Sequence, residues 1–372
     1  MEMKRNISVL VFMVASIVGA GIFALPFTLA AHGLWIFLGV MVVAVWATVR
    51  IHDAVVELSA STHKNLQLPG LVGLHLGNYA ARAMGVLFFV CGFTSVLVYV
   101  LGLHELAQTF LPGISLWSIS FPCVALSLWV SVRGEGFVLR NAFFFSSLVF
   151  FLVLVISLLC VLHPQFSLVS TVTPLLTSDI SIIAVCFFAL SGVVAIPELA
   201  SMVHNRKALR APVAFATTAV AVLYVFFSIA VVGILQGDTT PVATSGLKFH
   251  FGTSAMIVGA LVTLASFLSG LMLRSLSLVE SFRWDYGFSK FTALFIFGCV
   301  FVGMLQIPQH SFAEVVAWSG GVIGGLLGIL VMGAFVRMKY REMRHRSGFF
   351  LRILFPSLLV VFICFLALFG VV

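Results

Sequence analysis

The stretch Ser16-Ile17-Val18-Gly19-Ala20-Gly21 offers a ligand peptide groups rather than side-chain chemistry. Its glycines, with Pro26 following, interrupt a helix that the apolar flanks would otherwise continue. An unwound turn here would turn the carbonyls of Ala15 and Val18 toward a cation. The amides of Ala20 and Gly21, opening the resumed half-helix, would face an anion such as a carboxylate, with Ser16 and Gly19 beside them. Taken alone, the same residues also describe a glycine-packed contact of the small-xxx-small type. A second copy favours the break. Gly21-Ile22-Phe23-Ala24-Leu25-Pro26 is matched 171 residues later by Gly192-Val193-Val194-Ala195-Ile196-Pro197. Both lie in membrane-grade apolar sequence, where freed backbone groups are tolerated only against a cavity or ligand. Paired breaks in corresponding halves point to a midplane solute site.

Around the second copy, Phe187-Phe188-Ala189-Leu190-Ser191-Gly192 supplies a polar interruption with aromatic walls. Backbone groups from Ala189 to Gly192 could take an amine and Phe188 could shut the pocket; phenylalanine is equally a filler in a chain holding 38. Thr263, Ser266 and Ser269 recur at helical spacing. Their hydroxyls could complete a sodium shell with Ala15 and Val18, or bond between helices. Glu198 and Glu105 are candidate proton carriers, because carboxylates inside a membrane are expensive. Glu105 sits near enough to the interface to be simply solvated. Glu280 is placed to latch an inner gate with Lys4 or Arg5, or to form a plain surface ion pair. Arg274, one to two turns deeper, reads as a snorkelling side chain. The ten histidines are scattered without metal-ligand spacing, and Walker, HExxH and GxSxG patterns are missing.

The elements that carry these residues follow from composition. The 372 residues are 62% hydrophobic and 9% charged, with mean hydropathy +1.20. A water-facing surface needs far more charge, so the reading is an integral membrane bundle without a soluble domain or cleavable leader. Net charge is +8, but its placement argues against nucleic acid. With a cytoplasmic N-terminus, every Lys and Arg except Lys248 falls on or faces the cytoplasmic side. The six cysteines lie in apolar spans without CxxC spacing and read as packing residues.

Runs of roughly 20 apolar residues give about eleven helices. They fall near 7–30, 34–60, 80–110, 114–132, 140–163, 178–203, 211–236, 252–282, 290–306, 312–337 and 350–371. An odd count leaves the C-terminus external. The polar segment 61–80 reads as a surface turn or short interfacial helix. The simplest architecture is an all-α, five-plus-five inverted repeat with helices 1 and 6 discontinuous. Its parts are 1–165, 166–340 and an additional C-terminal helix in 341–372.

Several segments resemble the amino acid/auxin permease and aromatic amino acid permease families of the amino acid–polyamine–organocation transporters. Val18-Gly19-Ala20-Gly21-Ile22-Phe23-Ala24-Leu25-Pro26 is similar to their first-helix motif. Leu68-Pro69-Gly70 with Leu76-Gly77, Ala195-Ile196-Pro197, Leu223-Tyr224 and Ser266-Phe267-Leu268 are weaker matches in order. Phe187-Phe188-x-Leu190-Ser191 resembles the sixth-helix pocket of sodium-coupled amino acid symporters. The resemblance implies a leucine-transporter-type fold and uptake driven by a sodium or proton gradient. Ala265-Ser266 departs from a Thr-Ser pair that sodium-coupled relatives carry, and the fifth helix lacks the buried lysine of some proton-coupled ones.

The sequence therefore implies an inner-membrane symporter for a neutral amino acid, aromatic ones included, working by alternating access. The carboxylate would sit at Ala20 and Gly21, the amine near Ala189 to Ser191, and the side chain against Phe23, Phe188 and Tyr99. No cofactor beyond Na+ or H+ is called for; the partners are the amino acid and the bilayer. A polyamine permease would want more inward carboxylates, and an intramembrane enzyme would need clustered acids or a nucleophile with its base. A non-transporting sensor remains an alternative.

Overall fold

A computed structural model describes residues 2–175, 182–203, 205–240, 242, 243, 246, 248–306, 312–343 and 349–369. Among them every regular element is helical. Among the described residues eight helices are long and apolar enough to cross a membrane, and one bent pair adds a broken span. Two shorter apolar helices, Ser147–Leu162 and Lys290–Met304, complete the set, so the eleven-helix reading has a counterpart for each segment.

The broken span is α1 (Glu2–Ile17) and α2 (Gly21–His32), bent by 55°. Pro26 lies inside α2, beyond its first turn, and cannot supply the amide that would bond the Ile22 carbonyl. Next come α3 (Leu34–Ala60), α4 (Leu68–Leu76), α5 (Asn78–Phe110), α6 (Leu116–Arg133), α7 (Glu135–Leu162) and the single turn α8 (Val169–Val172). The second interrupted span is α9 (Ile182–Leu190) and α10 (Ala195–Met202), separated by Ser191–Val194. After it come α11 (Arg210–Leu235), α12 (Lys248–Trp284), α13 (Lys290–Met304), α14 (Phe312–Val322), α15 (Gly328–Met343) and α16 (Phe355–Phe369). A π-helical turn, Ile323–Leu327, joins α14 to α15.

The interrupted spans occupy the centre. α1 packs on α7 and α11, α2 on α9 and α11, and α9 on α3 and α14, while α12 lies against α5, α6 and α7. Trp35, Phe121, Phe151, Phe215 and Phe291 point outward, as a lipid-facing rim requires. Of the cysteines, five are buried and Cys299 is exposed.

Segment 61–80 departs from the surface turn or interfacial helix expected of it. α4 buries Leu68, Pro69, Leu71 and Val72 against the bundle. The reason is a carboxylate 218 residues away: Asp285 Oδ1 accepts the Gln67 amide at 2.9 Å, satisfying a donor at the start of α4. Asp285 Oδ2 accepts the Ser281 hydroxyl at 3.1 Å. Burial outweighs these bonds and pushes the Asp285 carboxyl up from 3.8 to about 6.

Candidate functional site

The two breaks meet. A Cβ added to Gly21 would lie 2.4 Å from Ala189 Cα and 2.8 Å from its Cβ, so only glycine lets α2 start against the end of α9. At Gly192 a Cβ would lie 2.7 Å from Ile17 Cγ1 and 3.1 Å from Met13 Cε. Each glycine of the repeated signature is thus covered by the opposite interrupted span.

At the first break Val18 still closes a bond to the Val14 carbonyl at 2.8 Å, and the Phe23 amide bonds to Ala20 at 3.1 Å. Among the described residues the amides of Gly19 and Ala20 find no backbone acceptor. Tyr224 on α11, fully buried, crosses the gap: its hydroxyl donates to the Ile17 carbonyl at 2.9 Å, and the Gly19 backbone lies within hydrogen-bonding reach of that oxygen. Tyr99 on α5 fills the opposite side. Its hydroxyl sits 3.2 Å from where a Gly19 Cβ would be, and its ring presses on Gly270 of α12. Ala15, Val18 and Ala20 are buried and Ser16 is half-buried.

At the second break Ser191 bonds back to Phe188 at 3.2 Å, and Ala195 to Gly192 at 3.1 Å. Ser191 Oγ is buried without a hydrogen-bond partner. Leu190 and Ala189 are buried beside it, and Phe188 abuts Gly320 of α14. Phe23 packs edge-on to Phe267 at 5.4 Å and to Phe227 at 6.3 Å; Tyr99 meets Phe267 at 6.2 Å. Phe267, cited in the sequence only as part of a weak motif, is therefore the ring shared by two of the three aromatics proposed to hold a side chain.

The hydroxyl candidates separate. Thr263 Oγ1 donates to Gly259 O of its own helix at 2.8 Å, whereas Ser266 Oγ is buried without a partner. Glu198 on α10 accepts the Ser277 hydroxyl of α12 at 2.6 Å and the Gln67 side-chain amide at 3.3 Å. It belongs to the second half of the second interrupted span and joins that half to α12 and to the approach to α4. Glu280 pairs with Arg283 at 2.7 and 2.8 Å; the carboxylate is buried, while the Arg283 side chain is 36% exposed. The side chains of Lys4 and Arg5 lie outside the described residues.

Two residues correct or extend the sequence reading. Arg274 does not snorkel: it is 8% exposed, with Tyr99, Cys91 and Glu198 as its electrostatic neighbours and no ion pair among the described residues. Its helix continues ten residues further, to Trp284, so the guanidinium is too deep to reach the interface. Glu105 accepts the Phe312 amide at 3.2 Å, satisfying the start of α14 rather than standing in solvent.

In overall structure the chain is similar to MHP1, a nucleobase-cation-symport-1 family transporter, in a closed conformation with bromovinylhydantoin bound. The TM-score is 0.62 at 15% identity, covering 98% of this chain and 90% of that one. It is also similar to MhsT in complex with L-phenylalanine, with a TM-score of 0.70 at 14% identity and 98% of both chains covered. No family model matches the chain, and no curated protein does. The likeness carries the fold: an all-α membrane bundle of the leucine-transporter type, five helices plus five in inverted repeat.

Proposed function

We propose that this membrane bundle is a secondary active transporter importing a neutral amino acid, aromatic ones included, by ion-coupled symport. The observation that carries the reading is the meeting of the two breaks at Gly21 and Ala189, with an Ala20 amide that finds no backbone acceptor on one side and an unpartnered Ser191 hydroxyl on the other. Free amides at the start of a half-helix favour a carboxylate, and carbonyls at the end of another favour an amine. The solute's carboxylate binds at Ala20 and Gly21 and its amine near Ala189 to Ser191, while Phe23, Tyr99 and Phe188 face its side chain. A bound L-phenylalanine in MhsT supports this solute class, and the first-helix resemblance to amino acid/auxin and aromatic amino acid permeases supports the family.

No covalent step is needed. An ion gradient supplies the work, and rocking of one bundle against the other exposes the site alternately. Sodium would use the carbonyls of Ala15 and Val18 with Ser266 and Thr263; a proton would use Glu198. The chain sits in the cytoplasmic membrane with its N-terminus inside and its C-terminus outside, in the three-part division 1–165, 166–340 and 341–372. Glu280 with Lys4 and Arg5 belongs to the inner gate.

Counterflow of labelled amino acids in proteoliposomes tests this, with sodium and pH gradients imposed separately. Exchange of a neutral amino acid, accelerated by one of the two gradients, is the expected result. Failure of every amino acid to exchange with correctly inserted protein would overturn the assignment.

A further inference from the structure

On the flank away from the two breaks, an apolar groove of about 620 Å³ runs between α3 and α11. Leu38, Met41, Val45 and Trp46 line it on α3, and Ala221 and Val225 on α11. Along α3 its apolar wall runs from Leu38 to Val49, about 17 Å at 1.5 Å per residue, before Arg50 and Asp53. That is close to one leaflet of a hydrocarbon core about 30 Å thick. The groove does not end blindly. Arg50 and Asp53 also line a second cavity of about 290 Å³, which lies among α3, α11, α15 and the residues leading into α16.

This second cavity is basic. Arg50, Arg210, Lys339 and Arg352 line it against two carboxylates, Asp53 and Glu57. Both carboxylates are already engaged. Arg210 bonds Asp53 at 3.2 Å and Glu57 at 3.0 Å, and Lys339 bonds Glu57 at 2.9 Å. Arg50 and Arg352, both exposed, make no ion pair among the described residues. Arg50 lies over the Trp46 ring at 5.9 Å, which sets the cation at the junction of groove and cavity. An indole at that level is characteristic of the lipid–water boundary. By contrast, the apolar groove among α5, α6 and α12 has no charged residue along its walls. Apolar surface alone therefore does not distinguish the first groove; its continuity with an excess of cations does.

We infer that this continuous groove and basic cavity hold one anionic glycerophospholipid, its phosphate between Arg50 and Arg352 and an acyl chain along α3 and α11. Glu342 also bonds Lys339, at 2.9 Å, and the phosphate completes a charge balance that Asp53, Glu57 and Glu342 leave short of the four cations. The Arg210 and Lys339 pairs keep the cavity walls in place, so the two unpaired arginines supply the selectivity. Basic pockets between spanning helices recognise anionic headgroups by this arithmetic. The bound lipid would touch α3 and α11, the helices that flank the interrupted spans, without entering the solute site.

Trp46 makes the inference measurable independently of transport. The protein is reconstituted in phosphatidylcholine vesicles containing brominated phosphatidylglycerol or, at equal mole fraction, brominated phosphatidylcholine. The Trp46 contribution to quenching is the difference between the unmutated chain and Trp46→Phe. The expected result is a preference for the anionic lipid on the order of tenfold in apparent affinity, from two unpaired cations. In the double variant Arg50→Gln, Arg352→Gln that preference falls to about one while circular dichroism is unchanged. Val222→Phe, which narrows the groove from an exposed position, reduces quenching by both lipids. Equal quenching of the unmutated chain by the two lipids would overturn the assignment. So would absence of quenching by either with a second copy crosslinked across the groove. Because the readout is lipid contact, it stands or falls apart from amino acid exchange.

Discussion

The two interrupted spans carry the same six-residue signature but are held in different ways. The first is closed by neutral groups: Tyr224 donates to Ile17, Tyr99 fills the space between Gly19 and Gly270, and Gly21 rests on backbone. The second is covered at Gly192 by side-chain atoms of Ile17 and Met13, and its α10 half is held by a carboxylate, Glu198. Through Gln67 that half is linked to a second carboxylate, Asp285. Backbone against backbone cannot adapt, whereas side chains can change rotamer and carboxylates can change charge. The difference assigns rigidity to the first span and responsiveness to the second.

The hardest test of that contrast is Gly21→Ala. The new methyl meets Ala189 Cα, so α2 and α9 must part; uptake should be lost and stability should fall by about 1–3 kcal/mol. Normal uptake with an unchanged melting temperature would remove the rigid contact from the account. Tyr224→Phe comes next. It leaves the Ile17 carbonyl buried and unpaired at a cost of about 1–3 kcal/mol, readable by thermal denaturation in detergent. A melting temperature equal to the unmutated chain would mean water replaces the hydroxyl.

Asp285→Asn probes the responsive side. The folded protein favours the protonated carboxyl, so this group's contribution is complete below about pH 4 and is lost as pH rises through about 6. The unmutated chain should therefore lose melting temperature from this group between those values, and the variant should lack that component. Superimposable pH profiles would detach Asp285 from the contrast. Gly192→Ala should cost about 1 kcal/mol or less, because Met13 and Ile17 can move. A loss as large as that of Gly21→Ala would erase the asymmetry. Smallest is Ser191→Ala. Its hydroxyl has no partner to lose, so stability should stay within about 0.5 kcal/mol while the Michaelis constant for uptake rises. An unchanged Michaelis constant would take Ser191 out of the solute site.

Much of the bundle was legible because its signals are local. Apolar runs announce spans, and a glycine followed five residues later by proline announces a break. What was not legible depends on residues distant in sequence. Nothing near Gly21 indicates that its neighbour is Ala189, and nothing near Gln67 indicates Asp285, so α4 read as surface. Arg274 was misplaced for a related reason: its depth along the helix was legible, but Tyr99, Cys91 and Glu198, the neighbours that enclose the guanidinium, come from other helices. Tyr224 appeared only as half of a two-residue resemblance, because its importance is a single hydrogen bond across 207 positions.

The Gly21–Ala189 contact also constrains how the molecule can open. With nothing larger than the Ala189 methyl at the contact, the helices have nothing to ratchet past and little room to shear; they can tilt about the touching point. α2 extends 12 residues from that point, about 18 Å, so a tilt of about 10° carries its far end about 3 Å. The missing methyl thus acts as a fulcrum, converting a small angular change at the centre into a displacement large enough to admit water at the rim.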